Sequence, residues 1–72
     1  MALYHNHTRV EAIVTLRVTS VQGEKSALRI GIPSSFKALV IPVGVHDIRV
    51  GPDEILDPEE GLAVEFIGAR CV

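Results

Sequence analysis

An all-β fold follows from three features of this 72-residue chain. Its apolar content is 47%, drawn mostly from Val, Ile, Leu and Ala, with one Tyr, two Phe and no Trp. β-Branched residues of this kind suit pleated strands better than helices. Apolar and polar residues alternate with period two over long stretches, and single glycines and prolines punctuate those stretches as turns do. The chain therefore reads as one domain, residues 1–72, built as a small antiparallel barrel or sandwich of four to five strands.

The elements follow in order. Residues 1–8 are irregular, with His5, Asn6, His7 and Thr8 grouped together. From Val10 to Val21, Val10, Ala12, Val14, Leu16 and Val18 share one face, while Glu11, Thr15, Arg17 and Thr19 share the other. Gln22-Gly23-Glu24-Lys25 supplies a hairpin turn, and Ser26–Ile32 returns as the second strand, ending at Pro33, which cannot donate to a ladder. On such a hairpin Arg17 and Arg29 would sit across from each other. Phe36–Val43 is apolar on both sides apart from Lys37, the pattern of a strand buried on two faces or at a subunit contact. Val45–Val50 alternates again. Asp53–Leu56 fits one helical turn, and Asp57-Pro58-Glu59-Glu60-Gly61 has a helix-start residue, a proline, acids and a glycine stop. Leu62–Arg70 is the last strand.

Size and composition together imply self-association. A core this small is marginal on its own, and Cys71, the sole cysteine, allows neither an internal disulfide nor a cysteine zinc site. The aliphatic excess predicts a homo-oligomer, most simply a two-fold dimer, with Phe36, Leu39, Ile41 and Val43 at its interface. No apolar run approaches the ~18 residues that span a bilayer, and Met1 is not followed by a basic then apolar leader. A cytoplasmic protein without a membrane partner is expected.

Candidate chemistry is sparse. His5 and His7 in an extended segment could share a metal with His46, but a solvated terminus explains the same letters, and no metal or cofactor is expected. The carboxylates Asp53, Glu54, Asp57, Glu59 and Glu60 lack the spacing of a calcium loop and read as a solvated acidic turn. No nucleophile–base spacing or phosphate-cradling glycine loop is present, so no catalytic residue and no enzyme is expected. Charge is divided unevenly: residues 1–49 carry six basic and three acidic groups, residues 50–72 one and six. Arg9, Arg17, Arg29, Lys37 and Arg49 belong to the basic part and could form a stripe that grips single-stranded RNA. Arg9, Arg29 and Arg49 are the candidate contacts of an RNA regulator.

One stretch carries a family likeness. Val18, Val21, Gly23, Leu28, Arg29, Ile30, Gly31, Ile32 and Pro33, with the later Val43-Gly44-Val45-His46, resemble the carbon storage regulator family over about residues 14–46. Thr8-Arg9 with Glu11 is a fainter echo. The resemblance implies a domain-swapped β dimer that binds GGA-containing leader RNA and controls translation, with Arg9 and Arg49 at positions of RNA contact. Asp47 stands where that family places an arginine, and the family's first strand and terminal helix have no counterpart in the pattern. Two functions are therefore expected. The first is a non-enzymatic β-rich oligomeric module acting on a protein partner, as viral or mobile-element accessory proteins do. The second is a dimeric RNA-binding translational regulator.

Overall fold

A computed structural model describes residues 2–23 and 27–72. They form seven strands: β1 (Tyr4–His5), β2 (Ala12–Val21), β3 (Leu28–Ile32), β4 (Ser35–Leu39), β5 (Gly44–Val50), β6 (Ile55–Pro58) and β7 (Leu62–Cys71). One antiparallel sheet has the order β1-β6-β3-β4 and the other β5-β2-β7. The all-β class and the small antiparallel sandwich stand as expected. The additional strands are β1 and β6, which at two and four residues are too short to show a period in sequence.

Period two on β2 sets the core. Ala12, Val14, Leu16 and Val18 are fully buried on one face, where Leu28 and Ile30 from β3, Leu56 from β6, Val50 from β5 and Leu62 from β7 join them. Leu39, Ile41, Ile48 and Val64 pack against this cluster from its margin. Tyr4 of β1 stacks on Phe66 of β7 with ring centroids 6.1 Å apart, linking the two sheets. Burial of each large aliphatic side chain stabilises by about 1.5–3 kcal/mol, so the cluster supplies most of the cohesion.

The expected β2–β3 hairpin is not formed. Val21 ends β2 in one sheet, whereas Leu28 opens β3 in the other, and β3 pairs instead with β4 and β6. Gly23 adopts the anticipated positive φ of 87°, but the rest of the expected turn, Glu24 and Lys25, lies outside the described residues. The reason for the switch is burial. Leu28 and Ile30 meet the apolar face of β2 through side chains across the core, not through backbone bonds alongside it. Arg17 accordingly lies opposite Glu65, and Arg29 opposite Asp57, not opposite each other.

The helical turn expected over 53–61 is also replaced. Ile55 and Leu56 enter the sheet as β6 because Leu56 completes the core, and too few residues remain to nucleate a helix. Tight turns flank β6. Glu54 N donates to Gly51 O (3.1 Å) around Pro52-Asp53, and Leu62 N donates to Glu59 O (3.1 Å) around Glu60-Gly61. In each the third residue has positive φ, 63° at Asp53 and 95° at Gly61, as a type II turn requires.

Gly31 lies where the backbone of β4 approaches closely. Its φ is 148°, and an added Cβ would collide with the Ser35 carbonyl oxygen and press on Phe36 Cα at 3.0 Å. We predict that Gly31→Ala destabilises the domain by about 2–4 kcal/mol through strain and overpacking. That is a large part of the ~4–11 kcal/mol available to a chain this size. A urea midpoint within error of the parent protein would contradict it.

Candidate functional site

The first candidate, His5-Asn6-His7, is organised around its central residue. The His5 and His7 rings sit 4.0 Å apart, tilted by 47°. His46 is engaged elsewhere, its Nε2 donating to Pro42 O at 2.8 Å. Among the described residues no three metal-ligating side chains come together. Nor is this a loose terminus. Asn6 is fully buried, and its amide nitrogen donates to Val10 O (2.9 Å), Val50 O (3.0 Å) and Gly51 O (3.0 Å). Its Oδ1 accepts from Thr8 N (2.9 Å) and Thr8 Oγ1 (2.6 Å). Its backbone donates to Glu54 O and accepts from Asp53 N. Asn6 therefore stitches the start of the chain to the β5–β6 turn. A polar residue between two others carries no burial signature in sequence, which is why it was not anticipated.

The three candidate RNA-contacting arginines do not form one surface within the chain. Arg29 lies on the outer face of the four-stranded sheet, where Nη2 bonds Asp57 Oδ2 at 3.0 Å and the guanidinium carbon stands 5.0 Å from the Phe36 ring centre. Arg49 lies on the outer face of the three-stranded sheet, bonded to Glu11 at 2.6 Å. Arg9 is exposed in the segment before β2. On Arg49's face the pairing continues: Arg17 with Glu65 at 3.2 Å, Arg70 with Asp47 at 3.8 Å, and Thr15 donating to Asp47 at 2.6 Å. These exposed pairs contribute little stability each. Their joint effect is to cancel the field that a polyanion would need.

The candidate interface residues divide. Leu39 and Ile41 are partly buried and pack against the core, whereas Phe36 is exposed and Val43 is 63% exposed. Phe36–Val43 is therefore not one strand buried on both faces. It is the edge strand β4 followed by a link, because only Leu39 and Ile41 reach the core. Around them the structure adds exposed Ile32, Val45 and Val40, the last at 78% exposure. The resulting apolar stretch, Ile32 to Val45, includes a sheet edge and a single ionised side chain type, Lys37, before His46.

Other features offer less. A shallow recess lined by Ser20, Gln22, Gly61, Leu62 and Ala63 contains no ionisable side chain. Cys71 is a free, exposed thiol at the end of β7. Among the described residues no helix is long and apolar enough to cross a membrane. No family model, curated protein or solved structure matches the chain.

The Asn6 geometry makes a signed prediction. Asn6→Ala removes the donor from buried carbonyls and should cost about 2–3 kcal/mol, read from urea unfolding. Asn6→Asp puts a carboxylate against the same three carbonyl oxygens, so its ionised form is disfavoured in the fold. Its stability deficit relative to the parent should therefore grow as pH rises through ~4, the ordinary aspartate value, and shrink below it. A deficit independent of pH would show that the aspartate has turned away from the carbonyls.

Proposed function

We propose that this chain is a non-enzymatic assembly module that forms a homo-oligomer and engages a protein partner through the apolar stretch from Ile32 to Val45. The observation that carries the reading is an unpaired edge strand, β4, continued by aliphatic side chains that the core does not use. Exposed apolar patches of this kind are characteristic of protein contacts, and strand edges are templates for pairing with another chain. A surface dominated by Val, Ile and Phe, with Lys37 as its one charge, suits a protein partner better than a polyanion. The outer face of the three-stranded sheet carries mutually paired charges, Arg17 with Glu65, Arg49 with Glu11 and Arg70 with Asp47, beside the exposed Phe66 and Ile67 of β7.

Sedimentation velocity from about 1 to 200 µM, the range of weak to moderate protein association, should show a concentration-dependent oligomer. Val40→Glu and Val43→Glu should dissociate it while leaving the unfolding midpoint within about 0.5 kcal/mol of the parent, as for surface changes. Leu39→Glu and Ile41→Glu are unsuitable for this purpose because both side chains contact the core. A parent chain that stays monomeric across the range would refute self-association.

The RNA-regulator reading makes a different prediction, since it needs Arg9, Arg29 and Arg49 to converge across subunits. In a gel-shift assay at low salt, where phosphate contacts are strongest, the assembly reading expects no retention of a GGA-hairpin RNA by micromolar protein. Retention lost in Arg29→Ala or Arg49→Ala would favour the regulator instead.

A further inference from the structure

We propose that the homo-oligomer contact is an antiparallel pairing of β4 with β4 of a second copy, on a two-fold axis at Ala38, an inference that rests on the assembly reading above. The choice of strand comes from comparing the four sheet edges. β1 has only two residues. β5 presents Asp47 and Arg49 on its outer face, both tied into the charge pairs. β7 is broken by register shifts opposite Thr15/Leu16 and Val18/Ser20, and it carries Glu65 and Arg70. Charges and bulges are the usual guards against edge pairing. β4 has no bulge in its register and one charge, Lys37.

The register follows from the hydrogen-bonding phase. Ile32 pairs with Ser35 across the two-residue Pro33-Ser34 turn, so that pair is hydrogen-bonded and alternate residues follow it. Ser35, Lys37 and Leu39 thus direct their backbone groups to β3. Phe36 and Ala38 direct theirs to the open side, and Val40, next in phase, extends the same row. A two-fold axis at Lys37 would set two ammonium groups directly opposite each other, which is unfavourable. An axis at Phe36 would leave Val40 beyond the end of the partner strand. An axis at Ala38 avoids both.

With that axis Ala38 meets Ala38, Phe36 meets Val40 of the second copy, and Lys37 meets Leu39. Phe36, Ala38 and Val40 lie on the outer face with Arg29, so each Phe36–Val40 pair covers two of the exposed apolar side chains beside the Arg29 guanidinium. About six backbone bonds close the junction. The two four-stranded sheets then run on as one continuous sheet through the dimer.

Cysteine cross-linking and hydrogen exchange test this register. A hydrogen-bonded antiparallel pair holds its Cα atoms about 5.5 Å apart, within disulfide range. In a Cys71→Ser background, Ala38→Cys should form a covalent dimer under mild oxidation. Phe36→Cys and Val40→Cys should each remain largely uncrosslinked alone and couple when mixed. In the unsubstituted chain, the amides of Phe36, Ala38 and Val40 should gain protection as concentration rises, while those of Lys37 and Leu39 stay protected throughout. A dimer by sedimentation with neither Ala38 cross-linking nor concentration-dependent protection at these amides would overturn β4 pairing and leave the assembly reading standing. A monomer at every concentration would overturn both.

Discussion

The side chain of Asn6, the one buried polar side chain among the described residues, holds the architecture together where the chain start meets the β5–β6 turn. A buried amide must place both its hydrogens and its oxygen, and Asn6 does so by drawing Val10, Val50 and Gly51 toward a single group while accepting twice from Thr8. These bonds fix the β5–β6 turn against the start of the chain. The Asn6 amide donates to the buried Val50 carbonyl and adds a second donor to the Gly51 carbonyl that Glu54 N already reaches. That turn in turn delivers Leu56 to the core. β1 depends on the same anchor, since its two ladder pairs to β6 are too few to persist alone.

Much of the fold was legible in residue pattern. β2 and β5 show their buried and exposed faces directly, since a strand half covered by a core must alternate. The β3–β4 turn was marked by Pro33, and β7 by its apolar positions. What the pattern could not show was which strands pair. Leu28 and Ile30 satisfy the same alternation whether β3 lies beside β2 or opposite it, so a hairpin and a crossing between sheets read alike. The segment 53–61 misled for a related reason. Proline, acids and glycine serve a helix start and a pair of tight turns equally well, and only the demand for Leu56 in the core decides.

The candidate surfaces show the same division. Arginines can be counted in a sequence, but their partners cannot: Glu11, Asp47, Asp57 and Glu65 are distant in the chain and adjacent in space to Arg49, Arg70, Arg29 and Arg17. Pairing turns a nominally basic half into a neutral face. The aliphatic run 36–43 was visible, but its division between core and surface was not. Leu39 and Ile41 turn inward, so the outward set is Phe36, Val40 and Val43, joined by Ile32 and Val45.

The order in which the strands find their neighbours has a consequence for synthesis. β2, the centre of its sheet, bonds to β7, the last of the seven strands, and Val72 N donates to Glu11 O. β1 likewise waits for β6. A nascent chain emerging from the ribosome can therefore close the β3–β4 hairpin early, but not the sheet that shelters the apolar face of β2. Contacts so distant in sequence slow folding. Until β7 has been made, that face is held open, and the pairing of β7 with β2 is the event that permits the domain to form.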